Sequence, residues 1–288
     1  MTPSQRTVTK RKRLKHTDPD YEWSFSSITS YLECPYQFKL NYIDDVQDIG
    51  NAFSDYGNLI HEILEKWAKG ELMDFELVDY YEKNYASAMH HDYPPYPVTM
   101  AESSYHLGAK FFQHFTGFGE DFEIISAEDK FSTTIGPYKF RGISDLVLRN
   151  VKNGTYCVVD HKTKSPTSMK KDLELYTKQL YIYAKYVHDK FGVYPNIMMF
   201  NMIKDQTLII EKFNMDKFLE VMDWVIDSIG KILAETKWGI GGSSYFCQNI
   251  CSYRQACEFS DRFKTEWTRK QEQKQNAENE RIDNAGGI

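Results

Sequence analysis

The stretch YCVVDHK, residues 156–162, starts as a core strand and ends in Asp160, His161 and Lys162. Side chains alternate across a strand, so Asp160 and Lys162 share one face and His161 takes the other. A second strand-like stretch, FRGISDLVL at 140–148, carries Asp145, and the turn signal Lys152-Asn153-Gly154 between the two predicts a hairpin that lays them side by side. Two carboxylates and an ammonium then meet at one spot. Hard carboxylate oxygens suit Mg2+ or Mn2+, which acidifies water and neutralises phosphate, while a lysine orients that water or balances charge. This is equipment for phosphodiester hydrolysis. Asp-x-Lys taken alone reads first as a surface ion pair of little energetic worth, so the surroundings have to decide.

The second group is made of thiols. Cys247, Cys251 and Cys257 sit in CQNICSYRQAC, with three and then five residues between them. Thiols clustered in a chain without an export signal read as metal ligands rather than disulfides. A tetrahedral site needs a fourth, from Cys34 or Cys157. Cys157 alternates like a core residue in TYCVVD and reads as a small buried hydrophobe, whereas Cys34 stands at the helix break of YLECPYQF.

Positioning these groups requires a framework of both helices and strands. Residues 54–69, SDYGNLIHEILEKWAK, predict an amphipathic helix with Leu59, Ile60, Ile63, Leu64 and Trp67 on its apolar side and His61 on or beside it. A lone histidine there is ordinarily a boundary residue, and HEILE lacks the second histidine of a zinc-protease motif. Helical stretches follow at about 75–90 and 101–117, broken by HDYPPYP. The period then changes to that of strands through 121–163, with a further turn signal at Gly136-Pro137 and with Glu128 on the strand before Asp145. A long helix at 170–191, a strand pair and a helix in MDKFLEVMDWVIDSIGKILAET complete the pattern. The expected fold is α/β (α+β), a central mixed sheet flanked by helices. The expected organisation is a flexible basic tail at 1–20 containing KRKRLK, one domain at 21–262 with a helical insertion at about 71–120, and a polar tail at 263–288.

Composition narrows the partners. The 288 residues are 41% hydrophobic, which describes a globular chain, and the net charge of -6 excludes a global attraction to nucleic acid. Any such binding must come from a local basic groove or from bound cations. No apolar run spans a bilayer and the first residues lack a signal-peptide core, so no membrane is expected and a cytoplasmic setting is the default.

Taken together, Gly57-x-x-x-His61, Gly142-x-x-Asp145, Asp160-His161-Lys162 and Gln179-Leu180-x-x-Tyr183 resemble, in identity and order, the RecB-like branch of the PD-(D/E)XK nuclease superfamily. The resemblance covers roughly residues 24–260. It implies that His61, Asp145 and Asp160 are metal ligands with the His161 backbone carbonyl, that Lys162 is the catalytic lysine, and that Gln179 and Tyr183 position DNA or the lysine. Glu128 falls where the family often has another acid, and it reads equally as an exposed strand carboxylate. Cys34-Pro35 with the ending Cys251-x-Tyr-x-x-x-Cys257 is similar to iron-sulfur nucleases related to AddB and to CRISPR-associated adaptation nucleases, which implies a [4Fe-4S] cluster. Here three residues separate Cys247 from Cys251 where relatives commonly have two, and four thiolates also suit Zn2+. The implied activity is a metal-dependent DNA exonuclease acting on single strands or free ends, bacterial or phage-encoded, with a helicase or recombination partner. Two other readings fit the same residues: a non-catalytic DNA-binding or assembly subunit, and a zinc-stapled restriction-type endonuclease.

Overall fold

The computed structural model describes residues 14–95 and 97–260; the expected polar tail at 263–288 and most of the basic run at 10–15 lie outside the described residues. A mixed six-stranded sheet forms the centre. Its strands are β1 (Glu22–Trp23), β2 (Phe122–Ile135), β3 (Tyr138–Asn150), β4 (Tyr156–Lys162), β5 (Ile197–Met202) and β6 (Thr207–Lys212). The helices are α1 (Phe25–Glu33), α2 (Pro35–Phe38), α3 (Ala52–Ala68), α4 (Leu77–Ala88), α5 (Met100–His114), α6 (Pro166–Phe191), α7 (Met215–Ala234) and α8 (Ser244–Asn249). None of these is long and apolar enough to cross a membrane.

Strands β2, β3 and β4 form two antiparallel hairpins, β4 and β5 run parallel across the α6 crossover, and β5 and β6 close a third hairpin. Gly136, at φ 56°, turns the first hairpin in a conformation that suits glycine. The alternation read from the sequence places Val158 in the core layer beneath α1, α6 and α7, and Cys157 and Val159 in the opposite layer. That opposite layer is continued by α3, α4 and α5 through Leu59, Ile63, Leu77, Tyr81 and Phe112. Sheet between two helical layers is the arrangement expected when strands are apolar on both faces.

Several boundaries differ from the sequence reading. Helix α6 starts at Pro166 rather than 170 because Ser165 caps it, accepting from the Ser168 N–H at 3.3 Å, and proline fits the first turn. Helix α5 stops at His114, short of 117. Short elements β1 and α8 carry too few residues for a periodic signal, and both escaped it.

One topological detail shapes the site. Strand β3 pairs with β1 at Lys139 and Phe140, and with β4 from Leu146 to Arg149. Among the described residues, no strand pairs with 141–145 on that edge, so the sheet opens there.

Candidate active site

The opening brings carboxylates together by register. One step past the Leu146↔Val159 pair, Asp145 stands opposite Asp160. On the other edge of β3, the pairs Ala127↔Leu146 and Asp129↔Ser144 set Glu128 opposite Asp145. Glu128, Asp145 and Asp160 thus form a row across three neighbouring strands. Glu128 holds a left-handed φ of 47°, a costly conformation for a residue with a Cβ. Just before it the ladder shifts register between Ile124 and Ser126. Instead of a continued ladder, the His161 N–H donates to Asp145 Oδ2 at 2.8 Å. Burial pushes the Asp145 carboxyl up, the Asp160 charge raises it further, and His61 and Lys162 pull it back only in part.

His61, on α3, bridges the row. Its Nδ1 lies 3.1 Å from Glu128 Oε1 and 3.6 Å from Asp145 Oδ2, and its Nε2 lies 3.2 Å from the His161 carbonyl oxygen. Burial alone would lower the imidazole, but Asp145, Glu128 and Asp160 outweigh it and hold the ring well above its ordinary range. The row therefore demands positive charge. Ligand atoms of His61, Glu128 and Asp145 lie within 4.8 Å of one another, two hard carboxylate oxygens and a borderline imidazole nitrogen that together fit a divalent cation. Asp160 is not part of that triad, and its Oδ2 faces Lys162 Nζ at 2.7 Å.

Lys162 is held from several sides. Its Nζ lies 2.7 Å from Asp160 Oδ2 and donates to Gln179 Oε1 at 2.9 Å, with the Tyr176 ring 4.7 Å away. Asp160 Oδ2 has no directed hydrogen bond, so its contact with Lys162 is an ion pair. Gln179 Nε2 donates in turn to Tyr183 Oη at 2.7 Å. These contacts need Gln179 and Tyr183 one turn apart on α6, which is the spacing the motif has. The His161 side chain points to the opposite face, where Nδ1 lies 3.1 Å from Asn201 Nδ2. Burial lowers that imidazole, and the charges of His61 and Lys162 lower it further. Neither Tyr176 nor Asn201 was flagged by the sequence; Tyr176 had a signal, since it lies one turn before Gln179 on the same face.

The thiols gather elsewhere. Cys34, Cys247, Cys251 and Cys257 line one small cavity with Gln37, Phe246 and Arg254, whereas Cys157 is 1% exposed in the core. Cys34 ends α1 and precedes Pro35, and its Sγ accepts from the Gly241 N–H at 3.3 Å. A Cβ on Gly241 would fall 2.2 Å from the Glu33 carbonyl, so only glycine permits this approach of the two chain ends. Burial pushes the thiols of Cys247, Cys251 and Cys257 up, and neighbouring thiols raise each of them further. Four crowded, soft donors of this kind fit a thiophilic metal centre.

A family model described as the PD-(D/E)XK nuclease superfamily matches residues 22–258. No curated protein matches the chain. Among solved structures, a candidate exonuclease from Eubacterium rectale is 10% identical, with 91% of this chain and 93% of that one covered at a TM-score of 0.48. The protein SSO0001 is 13% identical, with 88% and 89% covered at a TM-score of 0.35. Both likenesses are shallow, and the assignment of the chain rests on the sequence family.

Proposed function

The chain belongs to the PD-(D/E)XK nuclease superfamily, and from that premise we propose that it is a metal-dependent exonuclease that hydrolyses DNA phosphodiester bonds in single strands or at free ends. The observation that carries this reading is the row Glu128, Asp145 and Asp160, bridged by His61 and backed by Lys162. His61, Glu128 and Asp145 would hold Mg2+ or Mn2+, with Asp160 and the His161 carbonyl beside them. A cation bound there supplies positive charge against the scissile phosphate and acidifies water.

The chain's own residues do the rest. An ammonium has three N–H donors. Gln179 takes one of them and Asp160 holds the ammonium as an ion pair, which leaves N–H donor capacity for a water or a phosphate oxygen in the cavity. Gln179, fixed by Tyr183, prevents Lys162 from swinging away, so it acts as a positioning residue. Gln179→Ala is expected to lower kcat by about 10–100-fold, the range for groups that support a catalytic one, while KM moves less. A KM rise with kcat intact would instead place Gln179 on the DNA.

The thiol centre is inferred to be a [4Fe-4S] cluster that joins the N-terminal segment to the C-terminal one. Cys34, Cys247, Cys251 and Cys257 line one cavity, where four thiolates suit a cluster of several irons or a single zinc. The likeness of Cys34-Pro35 and Cys251-x-Tyr-x-x-x-Cys257 to iron-sulfur nucleases favours the cluster. A cytoplasmic setting, with free thiols kept reduced, and a helicase or recombination partner complete the proposal.

DNA labelled separately at each end, incubated with the protein and Mn2+, tests the activity. Loss of the terminal label with protection of closed circles, abolished by chelator, is the expected result. Cleavage of closed circles would overturn the exonuclease assignment, and intact linear DNA would overturn the nuclease reading.

A further inference from the structure

We infer that Lys130 and Arg141 form a phosphate track for a single strand entering the carboxylate site. This inference rests on the nuclease reading and extends it to the substrate path. Both side chains are exposed and line the same cavity of about 980 Å3 as His61, Glu128 and Asp145. That volume is at the upper end for a small-molecule pocket and suits a stretch of polymer.

The cations of the β2–β3 hairpin divide into two kinds. Outside the cavity Lys139 pairs with Asp20, Arg149 with Glu123, and Lys152, just past β3, with Asp121. Inside it, the side chains of Lys130 and Arg141 have neither an ion-pair nor a hydrogen-bond partner among the described residues. In a chain of net charge -6, unpaired cations beside a row of acids serve an anion that must approach those acids.

Their spacing suits successive phosphates. Lys130 is two residues beyond Glu128 on β2, and Arg141 is four residues before Asp145 on β3. Because the strands are antiparallel, both displacements run the same way, about 7 Å and about 14 Å from the carboxylate row. These are even steps along an extended backbone. Ile143, opposite Lys130 in register and 42% exposed, offers an apolar surface beside the first cation, and Phe25 lines the cavity as well. Cations with an apolar and an aromatic surface in the same cavity suit a strand whose bases are unstacked, whereas a duplex hides its base faces. Glu22, accepting from Ser132 Oγ at 2.7 Å, also lines the cavity and ends the track after two cations.

The test is anisotropy of fluorescein-labelled oligothymidylate in Ca2+, comparing the wild type with Lys130→Gln/Arg141→Gln. The Kd is expected to rise about tenfold, and the slope of log affinity against log salt to shrink by about 1.4, at ~0.7 per phosphate contact. Melting temperature should match the wild type, since both residues are exposed. Lys83→Gln on α4, outside the cavity, should leave affinity and slope unchanged. An unchanged Kd in the double variant, an equal loss in Lys83→Gln, or an equal loss for a duplex of the same length would each overturn the track. Failure to cleave in Mn2+ with the Kd effect present would overturn the nuclease reading and leave the track standing.

Discussion

Replacing Asp145 with Asn should sharply reduce Mn2+-dependent cleavage and at the same time raise the melting temperature of the metal-free protein. Asp145 is 8% exposed, stands between Glu128 and Asp160, and has its carboxyl pushed up by burial and by the Asp160 charge. An acid whose folded-state range lies above its unfolded range costs stability at any pH above the unfolded range, because folding opposes loss of its proton. At pH 8 that cost is present in full. Asn keeps an oxygen for the His161 N–H, which Asp145 accepts at 2.8 Å, and carries no charge. The expected gain is about 3 °C, the scale of 1 kcal/mol in a domain of this size.

Function should move the other way. A cation at about one hundred times its Kd stabilises the wild type by about 2.7 kcal/mol, and the variant should lose most of that shift. Cleavage should fall about a thousandfold, beyond the 10–100-fold typical of groups that only support a ligand. Melting curves with and without Mn2+, beside a cleavage assay, read both effects. A variant that melts lower than wild type, or that keeps its Mn2+ shift, would show that the acids are not competing for one cation.

Cys34→Ser should remove the visible absorbance and the iron, and lower the melting temperature by at least 10 °C. A cluster joining Cys34 to Cys257 closes a loop of more than 200 residues. Cross-link entropy for loops of that length is about 5 kcal/mol, at roughly 2–4 °C for each. The effect should reach the active site as well. Asn51 Nδ2 donates to the Ile250 carbonyl at 2.8 Å, the Ile49 N–H to the Ser252 carbonyl at 3.1 Å, and Arg254 Nη1 to the Gly50 carbonyl at 3.1 Å. These bonds seat the start of α3, the helix that carries His61, on the cysteine segment. Cys157→Ala, in the core, should keep the iron and lose about 1 kcal/mol. Full iron content in Cys34→Ser would exclude Cys34 as a ligand, and a colourless protein containing zinc would replace the cluster with a single ion.

Much of the framework was legible because it is periodic. Alternation in YCVVDHK assigned opposite faces to Asp160 and His161, and the structure has Val158 and Val159 in different core layers. The 3.6-residue pattern around His61 predicted α3 to within two residues at its start. Glu128 was less legible. Its place beside Asp145 depends on the register of β2 and on the shift between Ile124 and Ser126, and neither is marked by residue type.

By itself the sequence determined the longer helices and strands, the alternation of faces along β4, and a set of motifs in family order, because local periodicity and spacing follow from backbone geometry. Tertiary structure alone decided which groups meet. It opened β3 at 141–145, drew the Gly241 backbone against Cys34, set Glu128 in the carboxylate row, and left the Lys130 and Arg141 side chains without partners among the described residues. Such meetings join residues far apart in the chain, and their energies depend on burial and on every neighbouring charge, none of which a single segment encodes.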